Sequence, residues 1–147
     1  MLSNTCKYAI RAVIYLAVHN VDDKKIGIKE ISSHLEIPTP FLGKILQILA
    51  KHKILLSTKG PHGGFCIGKK LHEISLLNIV EIIDGLDVFN NCVIGMHSCN
   101  CNAEESLKCP VHEQFYQERN NLYRIFKNET IEKIVNQVGS NLDFIKL

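Results

Sequence analysis

Apolar side chains recur every three or four positions along most of this chain, a period that predicts a largely helical protein. Ala9, Ile10, Val13, Leu16 and Ala17 form the first stripe, expected as a helix over about residues 5–20. A polar stretch from Asn20 to Lys25 follows, and Ile28, Ile31 and Leu35 then mark a second, shorter helix. In IPTPFLGKILQILAKHK, Thr39 can accept an amide as an N-cap. Pro40 suits the first helical position, because the donor it lacks has no partner there. A third helix is expected from about residue 40, with Phe41, Leu42, Ile45, Ile48 and Leu49 turned inward.

That arrangement leaves Thr39, Pro40, Gly43, Lys44, Gln47, Lys51 and His52 for the rest of the third helix's surface. Two short amphipathic helices joined by a brief turn, the second presenting small polar and basic residues, meet the needs of a helix-turn-helix lying in a DNA major groove. The period then changes. ILLSTKGPHGGFCIGKK places two short apolar runs around a turn rich in glycine, proline and lysine, which predicts a β-hairpin. Following the third helix, such a hairpin is a wing, and Lys59, Gly60, His62, Gly63, Lys69 and Lys70 on or beside it can reach phosphates or a minor groove.

Helical spacing resumes with SLLNIVEIIDG, which Ser75 can cap and Gly85 can stop. Its scarcity of polar positions predicts burial on most sides, against the first helix and a second subunit. Residues 90–110 show no period and read as a loop. HEQFYQERNNLYRIFKN predicts a long helix with Phe115, Leu122, Ile125 and Phe126 on one side, and TIEKIV a short one capped by Thr130. The expected fold is mainly α with a small β-hairpin wing: a winged helix-turn-helix DNA-binding region over 1–72, a linking core helix over 73–89, a cysteine-rich sensor loop over 90–112, and a dimerisation helix with a C-terminal segment over 113–147, all within one compact domain.

Charge sharpens this division. Residues 1–70 carry eleven Lys or Arg against four Asp or Glu, whereas residues 71–147 carry six against eleven. A basic half beside an acidic half suggests that the first faces double-stranded DNA. Lys7 and Arg11 interrupt the apolar start of the chain, and its longest unbroken apolar run there, Ala12 to Val18, is far short of the roughly 20 residues of a membrane span. A soluble, cytoplasmic protein with no membrane partner is expected. No C-x2-C pair, G-x-S-x-G elbow, H-E-x2-H or phosphate-binding glycine loop is present, so no enzyme is expected.

At 147 residues the chain is long enough to build a core without disulfides, so its clustered cysteines need another use. Cys92, Cys99, Cys101, Cys109 and His112 follow the spacing C-x6-C-x-C-x7-C-x2-H. Thiolates and imidazole suit iron–sulfur clusters and borderline metals. Zinc would accept a Cys3His set, although the paired C-x2-C turns of its usual knuckles are missing. The metal-free alternative is a loop whose thiols sense oxidants. Cys6 and Cys66 stand alone, and are expected to be small buried hydrophobes.

KYAIRAVIYLA, IKEISSHLEIPTPFLGKILQILAKHKIL, STKGPHGGF and the loop ending CPVH, in that order and spacing, resemble the Rrf-two family of bacterial winged-helix regulators over nearly the whole length. The resemblance implies a homodimer, a palindromic operator and a ligand-sensing loop that carries three cysteines in the cluster-binding members. It implies a two-iron cluster held by Cys92, Cys99, Cys109 and His112, with Cys101 as the alternative middle ligand. An all-cysteine set of Cys92, Cys99, Cys101 and Cys109 would suit a four-iron cluster instead. Cluster-free relatives sense a small molecule or a partner protein through the same dimer. The chain departs from the family pattern at Lys59, where arginine is common, and at His62, a common glycine position, while Gly43 stands where a cluster-binding member looks to have a longer base-reading side chain. Lys7 stands where some relatives supply a carboxylate ligand from the partner subunit.

Overall fold

The computed structural model describes residues 2–19, 24–92, 94, 110–139 and 141–143. Ser3 starts the first helix, α1 (Asn4–Val18): its hydroxyl accepts from the Cys6 amide at 3.0 Å and donates to Asp84 at 2.5 Å, tying two segments 81 residues apart. Every residue of α1 from Ala12 to Ala17 is buried, because α1 is the central helix and packs against α2 (Ile28–Leu35), α3 (Thr39–Lys51) and later elements.

Glu36 ends α2 in the left-handed region at φ 57°. The turn into α3 is fixed by Ser32, whose hydroxyl donates to the Ile37 carbonyl at 2.6 Å and shares a hydrogen bond with Thr39 Oγ1 at 2.8 Å. This pairing occupies the hydroxyl expected to cap α3. Thr39 is instead the first helical residue, Pro38 takes the N-cap position without a side-chain hydrogen bond, and Pro40 lies within the first turn. The inward face of α3 also differs from expectation. Leu42, Ile45, Leu46 and Leu49 are buried, whereas Phe41 and Ile48 flank them at 38% and 41% exposure. The stripe is centred one position round the helix, and Phe41 rests edge-on against Tyr8 at 5.7 Å between ring centres.

Strands β1 (Leu55–Thr58) and β2 (Gly64–Ile67) pair antiparallel, with Leu55 opposite Ile67 and Thr58 opposite Gly64. Ile26 adds a further rung, exchanging two backbone hydrogen bonds of 2.9 Å with Phe65 on the outer edge of β2. A 3₁₀ turn (Leu71–Glu73) leads to α4 (Leu76–Ile83), where Ser75 and Asn78 form a reciprocal capping box. The remaining elements are α5 (Asp87–Asn90), α6 (His112–Asn128) and α7 (Ile131–Val138), the last capped by Thr130.

The end of the chain returns to the first helix. Leu76 donates to the Glu129 carbonyl at 2.9 Å and Ile131 to that of Ile74 at 2.8 Å, and α7 then packs on α1, with Ile131 fully buried. A second, smaller apolar cluster joins Cys6, Leu77, Val80 and Phe89, with Tyr123 and Phe126 of α6 packed against it. Phe126 therefore does not share a face with Phe115, Leu122 and Ile125: it packs inward on Phe89, while the other three are exposed on α6.

Candidate nucleic-acid interface and metal centre

On α3, Pro40, Lys44 and Gln47 are exposed, while Thr39 and Gly43 are half-buried. A Cβ on Gly43 would lie 3.2 Å from Ile28 Cδ1, so this glycine serves the close approach of α2 to α3. The wing tip presents Lys59, Gly60 and His62 to solvent. Gly63 closes the turn by donating to the Gly60 carbonyl at 3.0 Å, and any Cβ there would stand 2.2 Å from the Thr58 carbonyl oxygen. Lys69 is exposed at the base of the wing rather than its tip, where it lines an open concavity of about 670 Å³ together with Lys25 and Lys70. The expected basic and small residues thus lie along α3 and the two ends of one hairpin.

The cysteine-bearing segment is anchored at both ends. Cys92 is half-buried just beyond α5, and His112 is buried as the first residue of α6, its ring stacked on Tyr116 at 5.6 Å. Arg119, seven residues along α6 from His112, donates to the Asn91 carbonyl at 2.8 Å. Cys99, Cys101 and Cys109 lie outside the described residues. Among the described residues, no three His, Cys, Asp or Glu side chains form a group that could hold a metal ion, so the described share of the expected ligand set is Cys92 and His112. Both donors suit a cluster or a soft metal. Val111, the N-cap of α6, makes no side-chain cap hydrogen bond, and the positive end of the helix dipole follows directly on the cysteine segment in sequence.

The other two described cysteines are withdrawn from chemistry. Burial, and secondarily the Asp84 carboxylate, pushes the Cys6 thiol up to about 12, and Cys66 is buried in β2. A feature outside the sequence reading is an aromatic stack in which Tyr15 lies between His19 and His34, at 4.3 and 4.6 Å. The i, i+4 spacing of Tyr15 and His19 gave a signal for half of it; His34 arrives from α2, and nothing local announces that contact. The Arg119 contact to Asn91 likewise spans 28 residues and has no sequence signature.

A profile of the Rrf2 family, described as an iron-dependent transcriptional regulator, matches residues 2–137. An HTH-type transcriptional regulator of Aquifex aeolicus is 31% identical over 136 residues, covering 92% of both chains. The HTH-type transcriptional regulator IscR of Pectobacterium atrosepticum is 24% identical over 135 residues, covering 92% of this chain and 79% of its own. The solved structure of CymR, the global cysteine regulator of B. subtilis, superposes with a TM-score of 0.74 at 16% identity, covering 93% of this chain and 97% of that one. The two-stranded hairpin set among helices matches those winged-helix structures. No described helix is long and apolar enough to cross a membrane. On this footing the chain belongs to the Rrf2 family of DNA-binding transcriptional regulators, which are not enzymes.

Proposed function

We propose that this protein is a cytoplasmic homodimer whose affinity for a palindromic operator is set by an iron–sulfur cluster held by Cys92, Cys99, Cys109 and His112, with Cys101 as the alternative ligand. The observation that carries this reading is the position of His112: it ends the C-x6-C-x-C-x7-C-x2-H hook and is, at the same time, the buried first residue of the longest helix. The iron-dependent description of the family supports the same choice.

When bound, a cluster supplies a redox-responsive link between soft ligands. The chain's own residues turn that link into a geometric signal. His112 and the backbone beside Cys92 both attach to α6, whose inner side is fixed to α5 through Phe89, Tyr123 and Phe126. Its outer side exposes Phe115, Leu122 and Ile125 at 44%, 41% and 58%, an apolar stripe suited to the same helix of a second subunit. A change at the hook then alters the tilt between two subunits and the spacing of their α3 helices. This regulates DNA only if one dimer geometry holds the cluster better than the other. On each subunit Lys44, Gln47 and Thr39 of α3 address the major groove, with Pro40 and Gly43 in the same first turns of the helix. Lys59, Gly60, His62, Gly63 and Lys69 of the wing address the backbone and the minor groove.

The test is anaerobic purification followed by a visible spectrum, iron and acid-labile sulfide assays, and operator binding with and without the cluster. The expected result is a coloured protein with near-equal iron and sulfide, whose operator affinity changes when the cluster is lost. A colourless protein, zinc-loaded or metal-free, that binds DNA equally well would replace this reading with zinc binding or metal-free sensing of a small molecule, thiol oxidation or a partner protein.

A further inference from the structure

We propose that Arg119 is the positioning residue of the cysteine segment, tying its first cysteine to the helix that begins with its histidine. The inference rests on the function proposed above and adds to it the element that passes the signal. Arg119 Nη1 donates to the carbonyl of Asn91, the residue directly before Cys92, at 2.8 Å. His112, Tyr116 and Arg119 follow one another at helical spacing along one side of α6, the side that continues through Tyr123 and Phe126 onto Phe89 of α5.

The consequence is geometric. Both ends of the segment between Cys92 and His112 are attached to one rigid rod, about 10 Å apart along its axis for seven residues at 1.5 Å each. Two ends of a chain segment that are not held together must be brought together whenever the segment binds a ligand, at an entropic cost that fixing them in advance removes. The guanidinium suits this task because its planar fork of N–H donors makes a charge-assisted hydrogen bond to a neutral carbonyl. Without the tie, the hook retains its ligands, but the movement of its first cysteine is no longer passed to α6.

Two measurements on full-length protein test this, using Arg119→Ala and Arg119→Lys, the latter retaining one donor for the Asn91 carbonyl. The first needs no cluster: the rate at which iodoacetamide modifies Cys92 in metal-free protein, followed by mass spectrometry with Cys6 as the internal control. Arg119→Ala is expected to speed Cys92 modification about three- to tenfold, with Cys6 unchanged and Arg119→Lys intermediate, the range expected for one solvent-exposed hydrogen bond. Equal rates in all three proteins would overturn the tie. The second is the ratio of operator affinities with and without reconstituted iron and sulfide. Arg119→Ala is expected to bind a cluster with a wild-type spectrum, to lose it to a chelator several-fold faster, and to show an affinity ratio close to one, while its cluster-free operator affinity is unchanged. A wild-type ratio in Arg119→Ala overturns the inference; a fall in cluster-free affinity and thermal stability alone shows Arg119 to be merely structural, which also overturns it. Failure of wild-type protein to take up any cluster removes the underlying function, and the alkylation rates then decide the tie by themselves.

Discussion

In the reading head, α1, α2 and α3 close on one another so fully that Ile31, Leu35, Leu42, Leu46 and Leu49 have no exposed surface, whereas α6, the longest helix, buries only His112 among its seventeen residues. The head carries its core within one chain. The long helix has a satisfied inner side and an unsatisfied outer one. Under the proposed function, stability and signalling fall in different parts of the molecule: the head is a fixed tool, and α6 is the element whose surroundings would change with assembly and with the state of the hook.

The sharpest way to break this contrast is to remove one apolar side chain from each region. Leu46→Ala, in the fully buried centre of α3, is expected to cost about 2–5 kcal/mol of unfolding free energy in a denaturant titration. Leu122→Ala, on the outer side of α6, is expected to change monomer stability by less than about 0.5 kcal/mol. Equal losses would mean that α6 shares the core of its own chain. Next in size is the paired substitution Leu122→Glu with Ile125→Glu. Charges at the centre of the exposed stripe should leave the fold intact, convert a dimer to a monomer in sedimentation, and weaken binding to a two-half-site operator by about a hundredfold or more through loss of bivalency. A monomer that still grips the full operator would show that the stripe has another use.

A smaller effect separates the two regions by charge. Lys59→Ala at the wing tip should lower affinity several-fold for every DNA sequence and reduce the slope of log affinity against log salt by about one. Arg124→Ala, on exposed α6, should leave that slope unchanged. A change confined to one operator position would assign Lys59 to base reading rather than to phosphate.

The same contrast explains what the sequence made legible. Elements defined by contacts three or four residues apart are readable: Ser75 announces α4, Thr130 announces α7, and the glycines of the wing announce its turn. Phe126 lies four residues from Leu122 yet faces the other way, because a stripe at that spacing does not reveal which of two neighbouring faces finds a partner. Phe41 and Ile48 flank the α3 stripe rather than centre it for the same reason, since the position of α1 decides where that centre falls. The contacts that close the molecule, Ser3 to Asp84, Ile26 to Phe65 and Arg119 to Asn91, join residues far apart in sequence and leave no periodic trace. At the candidate site, the spacing of the hook named its ligand candidates, but the burial of His112 and its stacking on Tyr116 emerged only from the fold.

Cys6 stands where head and long helix meet, in the small cluster with Leu77, Val80 and Phe89 against which Tyr123 and Phe126 pack. Its thiol gives the finest probe of whether that junction is dry. Burial raises the folded value to about 12, whereas the same thiol in an unfolded chain titrates near 9.0. The folded state therefore holds the proton more tightly. Its contribution is fully present below the unfolded value and is lost as pH climbs from there toward the folded one. Wild-type stability should fall more steeply with pH than that of Cys6→Ala, by up to about 1 kcal/mol at about pH 9.5. Subtracting the variant removes the tyrosines and lysines that titrate in both proteins. Parallel pH profiles would mean that the thiol ionises as readily in the folded protein, that water reaches the junction, and that α6 is joined to the head more loosely than Phe89 and its aromatic neighbours imply.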